Sequence, residues 1–218
     1  MFGFFCASLL GSHLSLLDSF STYLTSFGDS HLSAFIVSTL LVTLAEIGDK
    51  TQLLALLLIA KYRRPWPIIW GVLLATLLNH AAAAWLGAIA AHWLDGPWFS
   101  WLLGLSFIAM GLWMLIPDRL DDEDTPQRWF QYGPFIATLV LFFIAEMGDK
   151  TQVATVALGA HFEQALISVI LGTTAGMLAA NLPVILAGHL LFDKISLDKL
   201  HWITALLFIG LGLWTLLW

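Results

Sequence analysis

The chain has 218 residues, of which 59% are hydrophobic and only 11% are charged, and its formal net charge is −6. Soluble domains carry about 25% charged residues, so this composition excludes an ordinary soluble domain and indicates a polytopic membrane protein. The sequence has no basic patch that would favour a nucleic-acid partner. Its single cysteine, Cys6, excludes an intramolecular disulfide and a cysteine-rich metal site.

Residues 1–32 form an apolar lead-in segment ahead of the first predicted span. The stretch Met1–Leu17 lacks the Lys or Arg that begins a signal peptide, and polar residues such as His13 and Asp18 interrupt or follow it. An interfacial helix is therefore predicted here, with an additional span as the alternative.

Six membrane-spanning helices are predicted after this segment, which makes the fold class an all-α membrane protein. The apolar runs are continuous and reach the roughly 20 residues that cross a bilayer core, whereas a β-barrel would show short alternating segments. Pro183 lies inside the fifth span and is expected to kink or break it. The predicted spans are residues 33–60, 66–92, 98–116, 134–160, 164–192 and 200–218.

The basic residues predict the orientation of these spans. The chain has nine Lys and Arg; two belong to the motifs described below, and the other seven fall in the loops after spans one, three and five. Because basic residues are enriched in cytoplasmic loops, these loops are predicted to be cytoplasmic and both termini to lie on the outer side. The seven residues are Lys61, Arg63, Arg64, Arg119, Arg128, Lys194 and Lys199.

Two nearly identical motifs lie in spans one and four. The segment LAEIGDKTQ, Leu44–Gln52, recurs as IAEMGDKTQ, Ile144–Gln152. Each copy places two carboxylates and a lysine among apolar residues. A buried charge costs several kcal/mol unless it is paired or binds a metal, so both motifs are predicted to be functional.

The motifs are part of a longer internal repeat, since FIAMGLW (Phe107–Trp113) also matches FIGLGLW (Phe208–Trp214). Each copy contains three spans, an odd number, so the second copy must enter the membrane from the opposite face. This predicts the inverted-topology repeat of many secondary transporters. The repeats are residues 33–117 and 134–218, joined by an acidic cytoplasmic loop, residues 118–133.

The motif carboxylates are predicted to meet at mid-membrane. Glu46 and Glu146 lie near the middle of their spans, and at about 1.5 Å per residue this is close to the centre of a bilayer core about 30 Å thick. On a regular helix Glu46, Asp49 and Lys50 share one face, whereas Thr51 and the motif glutamines point away from it. The predicted metal ligands are Glu46, Asp49, Glu146 and Asp149. The predicted auxiliary residues are Lys50, Lys150, Gln52, Gln152, Thr43, Asn79 and Asn181.

The chemistry of this set favours a hard divalent cation. Four carboxylates offer the oxygen ligands that suit calcium, manganese or magnesium and fit zinc or copper(I) poorly. Four acids and two lysines sum to −2, which one divalent cation or two protons would neutralise. Like-charged carboxylates that lie close together favour protonation. We therefore hypothesise that one divalent ion exchanges for two protons, with little net charge movement.

Simpler interpretations stay open for several of these residues. The pair Glu46–Lys50 and its counterpart in the second copy could be i,i+4 ion pairs that hold buried helices together, although Asp49 has no such local partner. Asn79 and Asn181, together with His80, could ligate the ion or could only hydrogen-bond neighbouring helices. An intramembrane enzyme is not predicted, because no His-Glu-x-x-His, Gly-x-Ser-x-Gly or catalytic cysteine is present.

The paired Glu-x-Gly-Asp-Lys-Thr motifs in two three-span halves resemble the family of calcium/manganese–proton antiporters, which includes the Golgi manganese and calcium transporter and bacterial manganese exporters. The resemblance covers residues 33–218. It implies cation/proton antiport with the four motif carboxylates as metal-binding positions. The short chain and compact acidic loop are similar to bacterial members, which implies manganese export across an inner membrane, with both termini periplasmic.

Two other functions are weighed against manganese export. A calcium/proton antiporter would use the same scaffold and the same ligands. A proton-coupled carrier of amino acids or another small solute would use the acids only as proton sites, and would need a larger polar cavity than these apolar spans offer. No resident cofactor is expected, since manganese or calcium is the transported substrate. The lipid bilayer is the expected surrounding, and a homo-oligomer is left open.

Overall fold

A computed structural model describes residues 31–94, 96–116, 127–187 and 197–217. These residues form helices and contain no strand, which confirms the all-α prediction. The lead-in segment up to residue 30, most of the acidic loop and the end of the fifth predicted span lie outside the described residues. The helices are α1 (His31–Glu46), α2 (Lys50–Tyr62), α3 (Pro65–Trp93), α4 (Pro97–Trp113), α5 (Gly133–Glu146), α6 (Lys150–His161), α7 (Leu166–Ala187) and α8 (Leu197–Leu217), with 3₁₀ turns at Gln127–Tyr132 and Glu163–Ala165.

Several of these helices have the length and apolar character of a membrane span. Among the described residues, three segments are each long and apolar enough to cross a membrane alone, namely Pro65–Trp93, Trp129–Glu146 and Glu163–Ala187. The helices α1 and α2 pass this test only together, and the bend of 71° between them is that of a broken span or a re-entrant loop. Trp98–Trp113 and His201–Leu217 are apolar but shorter. The chain is thus an integral membrane protein, and the count of six spans stays a prediction.

Proline residues begin helices as expected but do not end the fifth span. Pro65, Pro97 and Pro134 each occupy the first turn of a helix, where the missing N–H has no intrahelical partner to lose. Helix α7, in contrast, continues through Pro183 to Ala187, so of the predicted kink or break the break is wrong, and the kink stays a prediction. Val184 and Ile185, which follow the proline, are buried, so packing of this part of α7 offsets the loss of one backbone hydrogen bond.

Glycines let the helices of the two repeats approach closely. Helix α1 packs on α7, and α3 packs on α5. The two contacts are equivalent, because α1 and α3 of the first repeat correspond to α5 and α7 of the second. A Cβ atom on Gly172 would lie 2.6 Å from the carbonyl oxygen of Phe35, and one on Gly71 would lie 2.7 Å from the Cβ of Thr138. Small residues at such positions are typical of packing between membrane helices.

We expect Gly172→Ala to destabilise the protein by about 1–3 kcal/mol, the usual cost of overpacking, because its methyl group would collide with the backbone of α1. Gly210→Ala is the matched control, since a Cβ there has no atom within 4 Å and alanine is the better helix former. Thermal unfolding in detergent, followed by tryptophan fluorescence, measures both. Equal melting temperatures for the two variants would contradict the packing described.

Candidate functional site

The first motif interrupts its span with a short non-helical segment. Helix α1 ends at Glu46 and α2 begins at Lys50. Gly48 has φ 88°, a left-handed conformation that glycine adopts without steric cost. Asp49 follows in an extended conformation with φ −77° and ψ 165°, and its side chain accepts a hydrogen bond from the backbone N–H of Thr51 as the N-cap of α2. The Gly-Asp dipeptide therefore explains the break.

The second motif makes the same break. Helix α5 ends at Glu146 and α6 begins at Lys150, with Gly148 at φ 80° and Asp149 at φ −76° and ψ 167° between them. Here the aspartate side chain does not form the N-cap hydrogen bond. The two copies thus share a backbone but differ in what their aspartates contact.

The break changes which side chains face each other, so the expectation of one regular helical face is wrong. Thr51 was expected to point away from the carboxylates. Its hydroxyl instead lies 2.7 Å from Oε2 of Glu46, to which it donates a hydrogen bond, and 3.4 Å from Oδ2 of Asp49. An i,i+4 ion pair between Glu46 and Lys50 on one helical face also requires a continuous helix, and the break between α1 and α2 removes it.

Three of the four predicted ligands meet at one point. One carboxylate oxygen from each of Glu46, Asp49 and Asp149 lies within 4.8 Å of the others, and all three side chains are buried. Glu146 is outside this group but is fully buried, accepts a hydrogen bond of 3.2 Å from Thr151, and interacts electrostatically with the other three carboxylates. The site therefore combines acids from both repeats.

The two motif lysines have different contacts. Nζ of Lys50 lies 3.9 Å from Oδ1 of Asp149, so this ammonium reaches the carboxylate of the other copy. Nζ of Lys150 donates a hydrogen bond to the carbonyl oxygen of Ile116, just beyond the end of α4. Identical positions in the sequence repeat are therefore not equivalent in the structure.

The motif glutamines brace the helix breaks, a role that the sequence did not indicate. Oε1 of Gln52 accepts a hydrogen bond of 2.9 Å from the N–H of Gly48, and its Nε2 donates one of 2.9 Å to the carbonyl of Ala180 in α7. Gln152 accepts a hydrogen bond of 2.6 Å from the N–H of Gly148 in the same way. A broken helix leaves such N–H groups without their usual acceptor. The need for a new acceptor is the argument from which this role of the glutamines could have been inferred.

Thr43 lies at the contact between α1 and α7. Its hydroxyl donates a hydrogen bond of 2.6 Å to the carbonyl of Thr39 and lies 3.4 Å from the carbonyl of Gly176. These contacts are those of a helix-packing residue one turn above the break.

The asparagines predicted as auxiliary residues also contact backbone carbonyls. Nδ2 of Asn79 donates to the carbonyl of Phe143 at 3.0 Å, in the last turn of α5. Nδ2 of Asn181 donates to the carbonyl of Met177 in its own helix at 3.1 Å. His80 is fully buried, and neither of its ring nitrogens has a hydrogen-bond partner among the described residues.

The helix ends add a fixed electrostatic contribution. Helices α1 and α5 both end at the motif glutamates, Glu46 and Glu146, and the carbonyl of each accepts a hydrogen bond from the N–H of the aspartate three residues on, at 3.1 Å and 3.2 Å. The C-terminal end of a helix carries partial negative charge. Carboxylate and carbonyl oxygens are the ligands of hard cations, so this arrangement is suited to binding such an ion within the span.

Comparison with known proteins identifies what the chain resembles. The family model described as "Divalent cation/proton antiporter GDT1" matches residues 34–122 and 134–218. A protein of Vibrio cholerae serotype O1 named "Putative manganese exporter" is 51% identical over 184 residues, which cover 84% of this chain and 90% of that protein. "GDT1-like protein 4" of Oryza sativa subsp. indica is 25% identical, covering 90% of this chain and 77% of its own. No solved structure matches the chain.

We expect Gln52→Leu to destabilise the protein by about 1–3 kcal/mol, because it leaves the N–H of Gly48 without its acceptor and removes the hydrogen bond that links this break to Ala180 of α7. Gln152→Leu should cost less, since Gly148 is exposed. Gln164→Leu, at an exposed position, serves as the control. Thermal unfolding in detergent measures all three, and a ranking with Gln52→Leu at or below the control would refute this role.

Proposed function

This chain belongs to the GDT1 family of divalent cation/proton antiporters, and on that premise we propose that it exports manganese from the cytoplasm in exchange for protons. The observation that carries the proposal is the group of three buried carboxylates, Glu46, Asp49 and Asp149, at the point where both broken helices end. The choice of manganese and of the outward direction is supported by the name and the high identity of the Vibrio relative.

The proposed cation site consists of these three carboxylates, with Glu146 as a fourth acid beside them. Their charges cannot stay uncompensated within an apolar span, so the site must hold either a cation or protons at each stage of the cycle. Manganese and calcium both accept carboxylate and carbonyl oxygens. The donor set therefore supports a hard divalent ion as the substrate, and the calcium/proton antiporter is the alternative that the test below must separate.

We further propose six spans, arranged as two inverted repeats over residues 33–117 and 134–218. Support comes from the matching breaks at Gly48 and Gly148 and from the exchangeable packing of α1 on α7 and α3 on α5. The exposed Lys61 and its basic neighbours at the end of α2 favour a cytoplasmic position for this loop, which puts both termini in the periplasm. In this arrangement alternating access would expose the carboxylates first to one side and then to the other.

The antiport follows from the charge of the site. A divalent ion that enters from the cytoplasm binds the carboxylates, and protons from the outer side replace it once the site has opened outward. Exchange of one divalent ion for two protons would leave the charge within the membrane unchanged. A strongly electrogenic manganese current in a solid-supported membrane would contradict this stoichiometry.

We expect Glu46→Gln to lower proton-coupled manganese flux by about tenfold or more, because loss of even an outer-shell partner of a metal ligand costs 10–100-fold. The measurement uses proteoliposomes with an imposed pH gradient and compares manganese, calcium and magnesium. Glu163→Gln, which removes an exposed carboxylate, is the control and should transport as wild type.

The ion comparison separates the two candidates. Manganese flux that depends on Glu46 supports the exporter. Calcium flux without manganese flux would mean that the substrate is calcium and that the antiport mechanism holds. An absence of divalent flux in the wild-type protein overturns the proposal.

A further inference from the structure

One positively charged side chain lies next to the proposed cation site. Nζ of Lys50 is 3.9 Å from Oδ1 of Asp149, with 17% and 6% of the two side chains exposed. Lys50 comes from the first repeat and Asp149 from the second, and the same Asp149 contributes an oxygen to the group formed with Glu46 and Asp49. The ammonium therefore lies beside one of the three carboxylates that a transported cation would need.

The second lysine of the repeat is arranged differently. Lys150 donates a hydrogen bond to the carbonyl of Ile116 at the end of α4, and its side chain is buried. A backbone carbonyl is a neutral partner that competes with no substrate ion. The structure thus places Lys50 beside a carboxylate of the acidic group and gives Lys150 a hydrogen bond to a backbone carbonyl.

We propose that Lys50 is a tethered counter-cation that competes with the transported divalent ion for Asp149 and thereby sets the affinity and the release rate of that ion. This inference rests on the proposed function, because it takes the three carboxylates as the ion's ligands. It assigns Lys50 a positioning and affinity-setting role, which differs from that of a metal ligand because an ammonium cannot coordinate a cation.

The physical basis is charge compensation at each stage of the cycle. Three carboxylates within 4.8 Å of one another repel strongly in a medium of low dielectric constant. An antiporter must pass through a form without its cation, and in that form Lys50 neutralises one of the three charges. A divalent ion that binds all three carboxylates repels the ammonium, so Lys50 has to move away from Asp149 for tight binding.

The geometry of the contact is that of a displaceable pair. Charge-assisted N–H···O bonds are about 2.7–2.9 Å long, and the Lys50–Asp149 separation of 3.9 Å is longer. A lysine ammonium is a compact charge on a flexible four-carbon stem, which allows it to leave and return without movement of the backbone. Its return as the ion departs would favour release to the outer side.

A purely structural Lys50 would behave differently from a counter-cation. If Lys50 only held the two repeats together, its loss would lower both the melting temperature and the affinity for the ion. If it competes with the ion, its loss raises the affinity and slows release. The sign of the change in affinity therefore separates the two roles.

The test is calorimetric titration of manganese chloride into the full chain in lipid nanodiscs. We expect Lys50→Met to lower the Kd roughly tenfold or more, the effect of removing one unit of nearby repulsion in a partly screened site, and to slow manganese export in proteoliposomes. Lys50→Arg keeps the charge and should stay near the wild-type Kd. Lys150→Met should change the Kd less than Lys50→Met, and Lys61→Met, which removes an exposed charge, should not change it.

Each outcome has one meaning. A Kd for Lys50→Met that equals or exceeds the wild-type Kd overturns the counter-cation role. Equal tightening by Lys50→Met and Lys150→Met also overturns it, since overall charge would then explain the effect. Glu46→Gln and Asp49→Asn test the site itself: if both bind manganese as wild type does, the proposed function fails, whatever the result for Lys50.

Discussion

The structure depends on one constraint: carboxylates placed inside an apolar span must be compensated by a cation, a proton or a paired charge. Glu46 and Glu146 are fully buried, and an ionised group in such surroundings costs several kcal/mol unless it has a partner. The hydroxyls of Thr51 and Thr151 donate hydrogen bonds to these two glutamates, and the ammonium of Lys50 lies beside the neighbouring Asp149. The remaining negative charge of the site is available to bind a transported ion.

The backbone of the motif follows from the same requirement. A continuous helix would bury its carbonyl groups in its own hydrogen bonds and would present only side chains to an ion. Gly48 takes a left-handed conformation and Asp49 caps the next helix, so α1 ends at Glu46 and the carboxylates of Glu46 and Asp49 lie at the break itself. Gln52 then satisfies the N–H that the break exposes, and the second copy repeats the solution. The two breaks together bring the carboxylates of Glu46, Asp49 and Asp149 into one compact group.

The sequence predicted the helical fold, and it pointed to four carboxylates of which the structure brings three together, because apolar runs and duplicated charges are local features. It did not predict which side chains face each other, since a helical wheel fails once Gly48 adopts a positive φ. Thr51 was therefore assigned to the wrong side. The different contacts of Lys50 and Lys150 could not be predicted either, because identical motifs carry identical information and only the surrounding helices distinguish them. The continuation of α7 through Pro183 was not predicted either, because the packing that outweighs the helix-breaking preference of proline is not visible in the local sequence.

The central claim is that a divalent cation binds between the two broken helices, held by acids from both repeats. Anomalous scattering at the manganese absorption edge, from crystals of the protein grown with manganese, tests this claim most directly. The account predicts an anomalous peak in contact with carboxylate oxygens of Glu46, Asp49 and Asp149, with the Lys50 ammonium displaced from Asp149. A peak confined to surface acids, with none between the breaks, would contradict it.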